Sequence, residues 1–345
     1  MSTTHENAIE LREVEGLSQG RIVRRRFIRH RGAIAGLVAL ALVAALAYTS
    51  IGISIFGVQI PGWWKHTHTE QMPVVNPNGA PTLSLPTWLG GSGFALGEVP
   101  FGQDTLGRDI FARTMKGIQT SIHVMVVIGF LSAVLGVLVG AVAGYYRGWV
   151  DQGLMRMTDL VLTFPVLVIG AVLGKVAGQG GAFFLALVLG AVIWPGMARL
   201  VRGDFLSLRE REFVDAAKVA GASDTRIIFK HMIPNAMGVI IVNSTLVMSQ
   251  AVLLEAALSY LGFGVRAPDI SLGLMISQYE SAFTTRPWLF WWPGLFIIVV
   301  VLSINFVGDG LRDAFDPRQK RVPSRRKMEK AAAAARRGSD PAAGQ

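Results

Sequence analysis

The chain of 345 residues contains no cysteine, which excludes a disulfide framework, a thiolate metal site and a cysteine nucleophile. Charge is scarce as well. Only 16% of the residues are Asp, Glu, Lys or Arg, against about 25% in ordinary globular chains, while 51% are hydrophobic. That balance argues against a water-soluble globule. Motifs of chemistry are also missing. The nearest approach to a phosphate-binding loop, Gly170-Ala171-Val172-Leu173-Gly174-Lys175-Val176, has too few residues between its glycines, lacks the terminal Ser/Thr and sits in an apolar run. No H-E-x-x-H, nucleophile elbow or carboxylate dyad is visible. The His66-x-His68 pair has no third ligand nearby and reads as an exposed loop. A transport function would therefore need its energy from a partner or from an ion gradient.

What the sequence does have is long apolar runs. A helix needs about 20 apolar residues to cross a bilayer core, and six segments approach that length: Ala33–Phe56, Ser121–Ala143, Met157–Val176, Ala182–Ala198, Ala236–Leu258 and Leu289–Val307. Backbone amides in hydrocarbon need internal partners, and no alternation suited to barrel strands is present, so the expected fold class is all-α and transmembrane. The first run follows an arginine-rich segment and ends in Ser54-Ile55-Phe56, which is no small-x-small cleavage site, so it reads as a retained helix.

The net charge of +10 is explained by where it lies. Lys and Arg number 7 in residues 1–32, 2 in 144–156, 6 in 201–235 and 10 in 311–345, against 4 in 57–120 and 2 in 259–288. Basic residues flanking spans mark the cytoplasmic side, so both termini are expected in the cytoplasm of a multi-pass protein of the cytoplasmic membrane. The tail Arg318–Arg337 suits anionic lipid headgroups better than nucleic acid, and no nucleic-acid partner is expected.

Small residues recur at Ser132, Gly136, Gly140 and Gly144, and at Gly170, Gly174 and Gly178, a spacing that lets helix backbones approach in a packed bundle or a dimer seam. Pro165 and Pro195 predict kinks at Phe164-Pro165 and Trp194-Pro195. Glu255 is the one carboxylate deep in a predicted span. With Ser244, Met248 and Ser259 it falls on one helical stripe, which makes Ser244, Met248 and Glu255 the substrate-pathway candidates. A proton-coupled carrier would depend on Glu255; a scaffold or tail-mediated assembly protein would depend instead on Arg318–Arg337.

Residues 209–234 differ from the other loops. Glu212 to Ala220 are good helix formers, Gly221 can end a helix with positive φ, and Ser223 or Asp224 can cap a second helix running through His231 to Pro234. A short helix-turn-helix on the cytoplasmic surface is the expectation. Its sequence resembles the EAA loop of ABC importer permeases, Glu-Ala-Ala, three residues, Gly, nine residues, Ile-x-Leu-Pro; here the run is Asp215-Ala216-Ala217, three residues, Gly221, nine residues, His231-Met232-Ile233-Pro234. Asp215 stands for the glutamate and His231 for the isoleucine. Further segments, Phe101-Gly102-Gln103-Asp104-Thr105-Leu106-Gly107-Arg108-Asp109, Gly144-Tyr145-Tyr146-Arg147-Gly148-Trp149-Val150-Asp151, Glu255-Ala256-Ala257-Leu258-Ser259-Tyr260-Leu261-Gly262 and Gly308-Asp309-Gly310-Leu311-Arg312-Asp313, resemble the C-type permease subunit of dipeptide, oligopeptide and nickel importers.

The resemblance implies a six-helix type I importer bundle and a non-catalytic subunit. Its parts would be a basic N-terminal segment (1–32), a first span (33–56), an extracytoplasmic loop and interfacial segment (57–120), a permease core of five spans with the EAA loop (121–310) and a basic, partly disordered tail (311–345). It implies as partners a homologous B-type permease, two ATPase domains or subunits, an extracytoplasmic solute-binding protein and membrane lipid. No cofactor is expected in this chain, ATP and Mg being held by the ATPases. Glu212, Phe213, Asp215, Ala216, Ala217, Lys218 and Gly221 would dock on an ATPase, with peptides the preferred cargo and nickel or another small solute the alternative. The charged stretch Asp104–Arg113 reads as an amphipathic interfacial helix bracing the bundle, or else as a contact for a solute receptor.

Overall fold

The computed structural model describes residues 19–55, 58–84, 86–89, 93–177 and 180–315. The segment before residue 19, the tail Arg318–Arg337 and Gly178 lie outside the described residues. The first helix, α1 (Gln19–Arg29), half-buries Ile22, Val23 and Phe27 and exposes its arginines at Arg21, Arg24 and Arg29. His30 separates it from α2 (Arg31–Ser50) and caps α2, its Nδ1 accepting from the Ala33 amide at 2.9 Å. The sequence suggests helix to Phe56, but α2 ends at Ser50. Gly52, at φ 76°, turns the chain, and the β-branched run after it pairs as an antiparallel hairpin, β1 (Ile53–Ile55) with β2 (Val58–Ile60).

The described residues between 61 and 109 form a turn-rich cap over the end of the bundle. The expected interfacial helix from Asp104 is absent, because Asp104 is buried and serves as a hydrogen-bond hub. Its Oδ1 accepts from the amides of Leu106 and Arg108, both at 2.9 Å, and its Oδ2 from Arg108 Nε at 2.6 Å and the Tyr279 hydroxyl at 3.0 Å. A carboxylate that bonds backbone two and four residues onward holds a turn rather than a helix. Burial pushes the Tyr279 phenol well above its ordinary value, so it remains a donor. Helix only starts after Asp109, which caps α3 (Ile110–Tyr146) by accepting from the Phe111 amide at 2.8 Å and also accepts from Trp64 Nε1 at 2.6 Å. Burial raises the Asp109 carboxyl, opposed by those two donors.

After α3 come α4 (Gly148–Thr163), α5 (Val166–Ala177), α6 (Gly181–Ile193) and α7 (Pro195–Leu208). Both predicted proline sites break helices: α4 and α5 meet at 81°, α6 and α7 at 42°. The first break is sharper than a kink because Phe164, preceding Pro165, is forced into extended backbone at φ −90°, ψ 133°. Among the described residues, four helices are long and apolar enough to cross a membrane, or up to six if each bent pair is one span. The guanidinium of Arg202 holds α4 against α7 by a bidentate pair with Asp151, at 3.0 and 2.6 Å.

The small-residue stripe of α3 lies inside this chain's own bundle. A side chain at Gly136, Gly140 or Gly144 would collide with Met197, Ala198 and Phe205 of α7, so these glycines permit the α3–α7 seam. Beyond α7 the chain forms α8 (Glu212–Val219) and then α9 (Asp224–Arg226), which runs through a π-helical turn, Ile227–Met232, into α10 (Ile233–Tyr260). The expected stop before Pro234 does not occur. Proline removes one amide donor and crowds the preceding turn; the wider π turn, in which the Ile233 amide bonds Ile228 O, absorbs both effects and the helix continues. Two helices close the fold: α11 (Leu272–Tyr279) and α12 (Trp288–Phe315), the latter packed on α2 and α10 and ending past the predicted Val307.

Replacing Asp104 by Ala leaves Arg108, the Tyr279 hydroxyl and two amides without their acceptor. We expect a loss of about 3 kcal/mol, read as an earlier thermal transition of the detergent-solubilised chain, with Asp104→Asn intermediate.

Candidate functional site

The hairpin formed by α8 and α9 projects from the end of the bundle that also carries α1 and the α3–α4 junction. Its first helix is short and built for an exposed position. Glu212 and Asp215 lie in the first turn and Lys218 in the last, each matching the helix dipole, and Lys218 Nζ reaches Asp215 Oδ1 at 3.2 Å. Gly221, at φ 77°, ends it. The Ala222 amide bonds Ala217 O at 3.0 Å and the Gly221 amide Lys218 O at 2.9 Å, so the last carbonyls are satisfied and the chain reverses tightly. Ser223 then caps the returning helix, accepting from the Arg226 amide at 3.4 Å.

One face of α8 is anchored. Val214 is fully buried beside Phe205, Ile227, Ile228 and Met232, and Ala217 is half-buried on the same cluster. The other face is open: Glu212, Phe213, Asp215, Ala216 and Gly221 are exposed, and Val219 is 90% exposed. Among the seven coupling candidates, then, Glu212, Phe213, Asp215, Ala216, Lys218 and Gly221 share the outward surface, whereas Ala217 packs the hairpin onto its own base. An exposed helix face that mixes alanine, phenylalanine and valine offers apolar area and close backbone approach to a partner.

Three residues with no role assigned from the sequence make the base rigid. The Tyr145 hydroxyl donates to Asp224 Oδ1 at 2.6 Å, joining the end of α3 to the returning helix. Arg209 Nη1 donates to Tyr145 O at 2.6 Å, and its guanidinium lies 5.7 Å from the Tyr145 ring centre. Arg147, in the left-handed region at φ 58°, bonds Leu206 O at 3.3 Å and pairs with Glu210. The Gly144-Tyr145-Tyr146-Arg147-Gly148 run was the visible signal. Its partners stand 59 to 79 positions away in sequence, beyond the reach of local pattern.

The three pathway candidates do not converge. Ser244 Oγ bonds Ile240 O of its own helix at 2.7 Å, and Met248 packs against Gly129 of α3. Glu255 is completely buried; its Oε1 accepts from Ser259 Oγ at 2.6 Å and its Oε2 from Ser121 Oγ at 3.4 Å. Ser259 Oγ in turn accepts from the Val265 amide at 3.0 Å and lies 3.4 Å from Ser271 Oγ, the cap of α11. The carboxylate thus ties α3, α10 and the 261–271 turn together.

With this geometry in place, comparison with known proteins is informative. Residues 136–321 match the family described as the binding-protein-dependent transport system inner membrane component, and residues 18–81 match the N-terminal transmembrane domain of oligopeptide transport permease C. The chain belongs to the binding-protein-dependent ABC importer permeases. It is 35% identical over 304 residues to the oligopeptide transport system permease protein OppC of Mycobacterium tuberculosis, covering 88% of this chain and 96% of that one. To the protein of the same name in Haemophilus influenzae it is 35% identical over 312 residues, covering 90% and 93%. A putative peptide permease of Brucella ovis is 38% identical over 297 residues, covering 85% and 89%. A chain of the inward-facing MetNI methionine ABC transporter superposes with a TM-score of 0.48 at 20% identity, covering 59% of this chain and 97% of that one.

If Tyr145 clamps the permease hairpin, Tyr145→Phe removes one charge-assisted bond of about 1.5–3 kcal/mol. Amide hydrogen exchange across residues 212–226 should then accelerate by tenfold or more while the exchange of α3 and α10 stays as in the parent; unchanged exchange there would remove the clamp.

Proposed function

We propose that this permease is the C-type half of a bacterial peptide importer and is driven through α8 by ATPase subunits on the cytoplasmic side. The observation that carries the coupling role is a helix with one face, at Val214 and Ala217, packed on the cluster of Phe205, Ile227 and Met232 and the other left bare. The peptide cargo is supported by relatives at 35–38% identity that bear oligopeptide or peptide permease names and span nearly the whole chain. The distribution of Lys and Arg supports both termini being cytoplasmic.

In this reading the chain performs no chemistry. A B-type permease completes the pathway, a solute-binding protein delivers peptide from outside, and ATP and Mg act in the ATPases. The outward face of α8, with Phe213, Ala216 and Gly221, enters a groove on the ATPase, where alanine and glycine allow close approach and Glu212, Asp215 and Lys218 set orientation. When two ATPase domains close, the displaced hairpin drags α10 directly, because the helix is unbroken from Asp224 to Tyr260, and drags α3 and α7 through Tyr145 and Arg209.

The test is reconstitution with the B-type permease, ATPases and binding protein, followed by uptake of a radiolabelled tripeptide. Ala216→Trp or Phe213→Asp should reduce ATP-driven uptake at least about tenfold, as expected when a closely packed contact is wedged apart, with assembly of the two permeases intact. Undiminished uptake in both would overturn coupling through this face, and uptake of nickel but of no peptide would overturn the cargo.

A further inference from the structure

Between α1, α7, α10 and α12 lies a cleft of about 890 Å³ that the transport reading does not use. Along α10 its lining runs from Pro234 to Leu246, a helix rise of about 18 Å, so the cleft is a slot parallel to the spans. Its charged residues lie at one end of that length. At the end where α8 projects it is lined by Asp204, Arg211 and Arg312; deeper in, the walls are Leu200, Val242 and Leu246. Asn243, also at depth, has its amide nitrogen committed to Val239 O at 2.8 Å.

Neither guanidinium has a side-chain hydrogen bond or ion pair among the described residues, and Asp204 is paired with neither of them. Both arginines are exposed, and an acidic oxygen-rich group entering the cleft can take their donors in place of water. The exposed arginines of α1, Arg21, Arg24 and Arg29, add positive potential at the same end. A short peptide carries charge at both ends and would find no partner at Leu200, Val242 and Leu246. An amphiphile with an acidic head and an apolar tail fits this arrangement.

We infer that this slot is a binding site for an anionic membrane phospholipid, its phosphodiester held between Arg211 and Arg312 and an acyl chain lying along α10 past Val242 and Leu246. Asp204 would accept from a headgroup hydroxyl, which favours a glycerol headgroup. A basic pocket between spans, opening beside a basic amphipathic helix, is the setting in which such headgroups are recognised. Because the slot is bounded by the base of α8 at Arg211 and by α10 at Pro234, occupancy would brace the hairpin from the lipid side. The inference rests on this chain alone and not on the identity of its cargo.

The test uses the full-length chain, purified in detergent, stripped of lipid and titrated in native mass spectrometry with phosphatidylglycerol, phosphatidylcholine of the same acyl chains, and water-soluble glycerol phosphate. Phosphatidylglycerol should bind more than about tenfold tighter than phosphatidylcholine, and glycerol phosphate should not compete. The double variant R211Q/R312Q should lose that preference, while R156Q, outside the slot, keeps it. Leu246→Trp, which fills the deep end with the arginines intact, should weaken phosphatidylglycerol binding at least about fivefold. Equal affinity for the two lipids, a preference surviving in R211Q/R312Q, or displacement of lipid by glycerol phosphate or by a tripeptide would each overturn the site. If the double variant does not fold, the wild-type comparison and Leu246→Trp still decide the matter.

Discussion

The seam between α3 and α7 is the constraint on which the bundle depends. Lipid tails are as apolar as leucine, so apolar side chains alone give two spans little reason to prefer each other over lipid; close backbone approach does. Gly136, Gly140 and Gly144 supply that approach, since a methyl group at any of them would meet α7. From the seam outward the arrangement follows: α6 and α10 lie against α3, and α12 lies against α10 and α2. The polar contacts then fix orientation, with Asp151 and Arg202 placing α4 and the Glu255 cluster seating the turn before α11.

The two ends of the bundle are built on opposite plans. At the capped end, charge is turned inward: Asp104, Asp109 and Arg113 are almost wholly buried and bonded to Arg108, Trp64, Tyr279 and Gln278. Buried, hydrogen-bonded charge gives a cap with few alternative arrangements, because a departure that breaks these bonds leaves a buried charge without them. At the other end a two-helix hairpin stands out into solvent with an apolar, small-residue face uncovered. The continuous helix from Asp224 to Tyr260 runs from the hairpin toward the capped end.

Much of this was legible in the order of residues, for identifiable reasons. The spans declare themselves through apolar length, and the reversal at Gly221 through a residue that tolerates positive φ. The spacing of Ala216, Ala217 and Gly221 marked the hairpin. Which alanine faces outward was not legible, because Ala216 and Ala217 are chemically identical and only the burial of Val214 decides that Ala217 turns in. The helix through Pro234 was also hidden: a proline ordinarily ends a helix, and the π turn that accommodates it depends on Ile227, Ile228 and Met232 being clamped in the core. Asp104 misled in the same way, since a charged stretch beside a span suggests an interface, whereas its partner Tyr279 lies 175 positions away in sequence.

The energetic question is where a force applied at the hairpin would be lost. A lever works only if its attachment is stiffer than the element it moves, and the α8–α9 hairpin is held at its base by packing and by bonds that meet at Tyr145. Val214 and Ala217 are packed on the cluster around Phe205, Asp224 is bonded to the tyrosine that ends α3, and Arg209 bonds that tyrosine's carbonyl while covering its ring. Each is modest alone, about 1.5–3 kcal/mol for a charge-assisted bond, but the packing and the bonds that meet at Tyr145 must break together for the hairpin to swing free. The outward face has no such ties: Lys218 and Asp215 form an exposed pair worth little, and Val219 rests against nothing. The division of labour within eight residues is therefore physical. The inward side of α8 is packed onto the bundle, and the outward side is left with exposed apolar area at Phe213, Ala216 and Val219.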